Sequence, residues 1–339
     1  MLSLLEALCA ERGISGDEAR VRGRIIEALG GCCTLETDNL GNLIAVKPGE
    51  KPAKKIALFA HMDEVGVMIT RITDEGLLKF EPIGIDPRVL HGRRMRVGDR
   101  GLPAVVGAKA WHHLDKAERE APLRADGLYL DIGAADRREA EAVVSLGDAA
   151  VFDAPFVRFG DELLMSRALD DRAGCTLLIE LLRSDFPFEL TGVFTCGEEH
   201  SLFGATAAAN AVAAELAVIL ETTTAGDAEG APPDRVVCSL GRGPVVSFAD
   251  KGTLYDRGLF ALAFDTARKN GIPVQTKEGV FGGNEARAVS RAGRGTRVCA
   301  VSIPCRYLHS ASVTASIRDL EETGRLLRAL LLVLAAPEE

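Results

Sequence analysis

Residues 191–205 read TGVFTCGEEHSLFGA. The apolar run up to Cys196 has the composition of a buried strand, and the small-residue run after Ser201 has that of a helix. Between them stand two adjacent carboxylates, Glu198 and Glu199. Neighbouring like charges repel, and the chain gains no structural benefit from them at this point. Alone, such a pair reads as a solvated turn. At the end of a strand that feeds a helix it has a second reading, because open α/β sheets bind ligands beyond the carboxyl ends of their strands.

The same pattern recurs along the chain. KKIALFA is followed by His61, LAVIL by Glu221, and RVCAVSIP, after a short loop, by His309. Asp170 and Asp171 lie in the turn that opens a helix in DDRAGCTLLIELLRS. Each has an ordinary explanation by itself: a satisfied histidine, an N-cap, an exposed strand terminus. Five separate segments delivering His, Asp or Glu to one rim are not ordinary together. Imidazoles and carboxylates without thiolates suit zinc, cobalt or manganese better than calcium. Several carboxylates at one point repel unless cations neutralise them, and two divalent ions balance three ligating carboxylates and one hydroxide.

Around these segments the elements alternate as an α/β sheet requires. Apolar spacing predicts helices over residues 2–12, within GDEARVRGRIIEALGG (16–31), in SLFGATAAANAV, in YDRGLFALAFDTARKNG and over 314–335. LETDNLGNLIAVKPG (35–49) reads as a hairpin. GPVVSFAD and PVQTKE supply further strands. From about Gly66 to Gly160 the texture changes to short alternating runs punctuated by Gly, Pro and Asp, the mark of a small all-β module. One α/β domain is therefore split by an insert that begins after His61 and ends before Asp170.

The bulk numbers exclude some functions. The chain has 339 residues, 47% of them apolar, enough for one large or two modest domains. A net charge of −9 argues against a nucleic-acid backbone as the main partner. Arg93, Arg94 and Arg96 read as a solvated strand face, and His112–His113 as part of a loop or subunit contact. No uncharged apolar stretch of about 18 residues exists, so no membrane span is expected. The N-terminus reads as an amphipathic helix and not as a signal peptide, and eight scattered cysteines without a CxxC pair suit core positions in a reducing cytoplasm.

The stretches AHMDEVGVMIT, SRALDDRAGC, TCGEEHSLFGA, GGNEARAV and VSIPCRYLHS together resemble the M42 family of metallo-aminopeptidases, of the glutamyl and tetrahedral aminopeptidase type. The resemblance spans essentially the whole chain. It implies a mixed-sheet, zinc-peptidase-like α/β catalytic domain over residues 1–65 and 161–339, with a small β-barrel oligomerisation domain over 66–160. It implies removal of N-terminal residues from peptides, two divalent ions per chain, zinc or cobalt with manganese possible, and a homo-oligomer, in many relatives a dodecamer. Carried over residue by residue, Asp170 bridges the ions, His61 and Glu221 complete one, and Glu199 and His309 complete the other. Glu198 is the base that activates the metal-bridged water, and Asp63 holds the second imidazole nitrogen of His61. A cis bond is expected at Asp170–Asp171. Two departures stand out: Glu221 where many members carry Asp, and GGNEA where GGTDA is commoner. A deacylase using the same site and a non-catalytic assembly protein are the competing readings. A polysaccharide hydrolase is disfavoured, because the chain has one Trp and three Tyr.

Overall fold

In the computed structural model, which describes residues 1–51 and 54–336, four parallel strands lie side by side. Their order is Leu190–Thr195, Ile56–His61, Leu216–Thr224, Arg297–Arg306. Antiparallel strands extend the sheet on both sides. Leu43–Lys47 and Thr34–Thr37 lie beyond the first of the four, and Val313–Ser316, Leu163–Ser166 and Val157–Phe159 beyond the last. Val245–Val246 and Gln275–Thr276 form a short ribbon against Arg297–Arg306.

The parallel strands are continuous apolar runs because helices cover both faces. Side chains alternate with period two. Ile56, Leu58 and Ala60 therefore enter the larger core, against helices that include Leu2–Ala10, Leu169–Arg183 and Ile317–Leu334. Ala57 and Phe59 enter the smaller core, with Phe203–Val212 and Ala286–Val289. The neighbouring strand repeats this, with Leu216, Val218 and Leu220 on one face and Ala217 and Ile219 on the other. His61 and Glu221 each continue the smaller-core series of their strand. Register then levels them: Leu216 pairs with Ile56, Ile219 with Phe59, and Thr195 with His61.

The insert is a closed six-stranded antiparallel barrel, in the order Gly66–Ile72, Leu78–Ile83, Leu128–Asp131, Leu102–Ala108, Arg94–Val97, Ala149–Phe152. Val67, Ile69, Met95, Leu130 and Phe152 fill it. Closure leaves no unpaired edge. Arg93, Arg94 and Arg96 lie exposed on its surface, and Asp153 pairs with the latter two at 3.2 and 3.0 Å. His112 and His113 sit exposed in a turn between two barrel strands.

Two boundaries differ from the sequence reading. Val157–Phe159, counted there with the insert, pairs with Leu163–Ser166 in the large sheet, so the chain rejoins that sheet before residue 161. A three-residue edge strand looks the same in sequence whether it borders a barrel or a larger sheet. Residues 314–316, expected as helix, are strand. The Ser316 hydroxyl accepts the Asp319 amide at 3.3 Å and starts the helix only at Ile317. The hairpin forms as read: Asp38 Oδ1 accepts the amides of Leu40, Gly41 and Asn42, and Gly41 takes φ 97°. All eight cysteines are free thiols. No helix among the described residues is long and apolar enough to cross a membrane.

Phe59 is 1% exposed and lies two residues before His61. Phe59→Ala is expected to cost about 3–5 kcal/mol of stability, read as a lower denaturant midpoint. A midpoint within error of wild type would contradict this packing.

Candidate active site

The levelled strand ends bring the sequence-derived residues into one cluster. His61 Nε2 lies 3.4 Å from Asp170 Oδ1 and 3.5 Å from Glu221 Oε1. His309 Nε2 lies 3.4 Å from the other Asp170 oxygen and 3.3 Å from Glu199 Oε2. The Asp170 carboxylate thus stands between two imidazoles, with Glu221 beside one and Glu199 beside the other. Glu198 lines the same cavity, of about 170 Å³. His112 and His113 do not line it.

Asp63 is the hub behind this cluster. It is fully buried. Its oxygens accept the Glu198 amide at 3.0 Å, the Glu199 amide at 3.1 Å and the Ser15 hydroxyl at 2.6 Å. His61 Nδ1 lies 3.1 Å from its carbonyl oxygen and 3.4 Å from its carboxylate. One side chain therefore fixes both the imidazole and the Glu-Glu turn. Gly197 opens that turn at φ 67°, where a Cβ would sit 1.9 Å from the Phe203 ring. Only glycine serves there. Glu18 accepts the Gly197 amide at 3.0 Å. Beneath the cluster, Glu64 pairs with Arg167, and Arg172 Nη2 lies 3.5 Å from Glu64 Oε1, all three buried. The Asp170–Asp171 bond is cis, as the resemblance implies, and His309 takes a left-handed backbone, φ 56°.

The electrostatics are lopsided. Burial opposes ionisation of Asp170, yet His309 and His61 outweigh it and hold its carboxyl well below the usual range. Burial likewise opposes ionisation of Asp63, and contacts from His61, Ser15 and the Glu198 amide overcome it. Burial, reinforced by neighbouring carboxylates, pushes Glu198, Glu199 and Asp171 well up. Burial also lifts Glu285 to about 8.

Divalent cations fit this donor set. Asp170 Oδ1, Asp171 Oδ2 and Glu199 Oε1 are buried without a hydrogen-bond partner, a costly state that a cation relieves. The nitrogen–oxygen spacings of 3.3–3.5 Å exceed an ordinary hydrogen bond. They match the separation of two ligands on one tetrahedral ion with bonds of about 2.0–2.2 Å, roughly 3.3–3.6 Å. Donor atoms of His61, Asp170 and Glu199, and of His61, Asp171 and Glu221, lie within 4.8 Å of one another.

Comparison with known proteins gives the family. Residues 41–326 match the family described as M42 glutamyl aminopeptidase. The chain belongs to the M42 peptidase family. It is 36% identical to a putative aminopeptidase of Acetivibrio thermocellus, covering 96% of this chain and 97% of that one. It is 30% identical to the lysyl aminopeptidase of Pyrococcus furiosus, over 97% and 96%. The TET1 peptidase of Pyrococcus horikoshii, described as able to assemble into a tetrahedron or a large octahedral shell, superposes with TM-score 0.85 at 33% identity, over 97% and 98%. The mixed α/β sheet with its barrel is thus an M42 peptidase fold.

Several residues around the M42 site carry no role in the sequence reading. Ser15 comes from the N-terminal segment, 48 positions from Asp63. Glu285, from GGNEA, is buried and accepts the Thr195 hydroxyl. Asp171 is fully buried beside its named neighbour. Glu285 had a usable signal, a carboxylate placed immediately after a glycine pair and an asparagine; Ser15 had none.

Asp63→Asn keeps the shape but loses the acceptor charge. It is expected to weaken binding of divalent cations about 10–100-fold, measured by competition with a chromophoric chelator. Unchanged affinity would show that Asp63 does not orient His61. Gly197→Ala is expected to remove activity while the far-UV spectrum persists.

Proposed function

We propose that this M42 chain is an aminopeptidase that releases N-terminal residues from peptides with the help of two divalent cations, zinc or cobalt, with manganese as an alternative. The observation that supports it most strongly is the Asp170 carboxylate with an imidazole nitrogen 3.4 Å from each oxygen. In this reading His61 and Glu221 would hold one ion, Glu199 and His309 the other, and Asp170 would be shared between them. Glu221 has the reach for this although it is longer than aspartate: its Oε1 accepts the adjacent Thr222 amide at 2.9 Å, which folds the side chain back.

When bound, such ions polarise the scissile carbonyl and increase the acidity of the attacking water. The remaining steps belong to the protein. Glu198 takes the water's proton and later gives it to the leaving amine. Glu199, its neighbour, has a different task because the Asp63 carboxylate fixes both backbone amides and so sets the two side chains apart. Asp63 also holds the Nδ1 side of His61, which leaves Nε2 facing Asp170 and Glu221. The surplus of carboxylates attracts the free ammonium of a peptide N-terminus, which selects chain ends over chain interiors.

The barrel would then serve subunit contact in a homo-oligomer, as large as a dodecamer, a reading supported by the likeness to the TET1 peptidase. Free cysteines throughout suit the cytoplasm.

Glu198→Gln is expected to lower kcat about 10²–10⁴-fold while metal content, measured by emission spectroscopy, stays at the wild-type level. A kcat within a few-fold of wild type would refute the base assignment. His309→Ala is expected instead to lower the metal content. Free aminoacyl reporters should be cleaved and their N-acetyl forms spared; the reverse would make the enzyme a deacylase.

A further inference from the structure

A second cavity, of about 440 Å³, lies where the barrel meets the catalytic domain. Its wall is drawn from the end of the helix Leu2–Ala10, from the barrel turn at Gly101 and from residues 151–156, where the chain leaves the barrel. The volume falls within the roughly 300–1,000 Å³ of small-molecule pockets, which favour domain boundaries. Three arginines from three segments line it: Arg12, Arg96 and Arg167. Val151, Pro155 and Phe156 supply an apolar side.

Each arginine is held in place. Arg12 donates to the Gly98 carbonyl and to the Asp99 carbonyl, the latter at 2.7 Å. Arg96 donates to the Gly101 carbonyl at 3.3 Å, and a Cβ added at Gly101 would lie 3.1 Å from Arg12 Nη1. Two like charges from different domains thus converge on one turn. Arg167, only 5% exposed, donates to the Ala10 and Glu11 carbonyls at 3.2 Å each. Carbonyl oxygens satisfy these N–H groups but do not cancel the charges. The nearby carboxylates are engaged elsewhere. Asp99 pairs with Arg20 at 2.8 Å, Asp153 is shared by Arg94 and Arg96, and Glu64 by Arg167 and Arg172. Glu6, also on the wall, is exposed to solvent. Among the described residues Arg12 pairs with no carboxylate. Burial, with Arg20 and Arg167 close by, lowers its pKa, the direction expected of an uncompensated cation.

We propose that this cavity binds a small carboxylate with an apolar body, its carboxylate received by Arg12 between Arg96 and Arg167 and its body lying on Val151, Pro155 and Phe156. A guanidinium fork matches a carboxylate, and the apolar side favours a hydrocarbon body over a bare inorganic ion. The cavity shares no lining residue with the reaction cavity. It nonetheless abuts the frame of that centre: Arg12 lies three residues before Ser15, whose hydroxyl holds Asp63, and Arg167 three before Asp170. The proposal does not depend on the aminopeptidase reading, since binding is measured without turnover.

Isovalerate is the probe, with isovaleramide and inorganic phosphate as controls, each titrated calorimetrically into the metal-loaded full chain at constant ionic strength. Isovalerate should bind wild type at least about tenfold more tightly than either control and lose about 10–100-fold in R12M. R12K should recover part of the loss. A154W fills the cavity and leaves every arginine in place; it should abolish binding, so a folding defect in R12M does not decide the outcome. Isovalerate that binds R12M and A154W as it binds wild type, or that acts only as a competitor of substrate, sits in the reaction cavity and overturns the proposal. Amide that binds as tightly as the carboxylate overturns it too. Phosphate that binds more tightly than isovalerate and requires Arg12 would reject the apolar body, and no binding of isovalerate to wild type would reject the site.

Discussion

The register of one strand governs the molecule. Ile56–His61 pairs in parallel with a neighbour on each side, Thr195 opposite His61 and Ile219 opposite Phe59. That alignment puts His61, Glu221 and the Glu198–Glu199 turn at one height on one rim. A slip of one residue would turn His61 toward the larger core and expose its apolar neighbours to the wrong face. The packing of Phe59 and Ala57 on one side and Leu58 and Ala60 on the other therefore protects the chemistry as well as the fold.

The second constraint is electrostatic. Five segments bring several carboxylates and two imidazoles into one space, and proximity alone would drive the carboxylates apart. Two features oppose that. Asp63 draws its donors from Ser15, Glu198 and Glu199, so its charge is spent on the backbone of the same turn it organises. Glu64, next to Asp63 in the chain, is in turn paired with the buried guanidinium groups of Arg167 and Arg172, so its charge does not add to the rim unopposed. In the proposed reading divalent cations would supply the rest. The inserted barrel closes on its own core, so it can be long without disturbing the spacing between His61 and Asp170.

Much of this is legible in the sequence because strand ends announce themselves. An apolar run that stops at His61 or just before the Glu198–Glu199 pair states both the strand and its polar terminus, whereas the strand carrying Glu221 runs on to Thr224. The texture of residues 66–160 likewise gives away the barrel, although its last strand ends at Phe152. What is not legible depends on partners far along the chain. Ser15 meets Asp63 across 48 positions, and Thr195 meets Glu285 across 90. Nothing local marks either. Arg12 looks in sequence like any charged residue leaving a helix, and only the fold brings it to a cavity shared with Arg167 and the barrel. Val157–Phe159 and Val313–Ser316 escape for a related reason, since a short edge strand takes its identity from the sheet that accepts it.

The most direct trial of the account is anomalous diffraction from crystals grown with zinc, recorded on both sides of the metal's absorption edge. Two strong peaks flanking the Asp170 carboxylate, one within bonding distance of His61 and Glu221 and the other of Glu199 and His309, are what the geometry predicts. Peaks confined to surface groups such as His112 and His113, with the Asp170 rim empty, would contradict it.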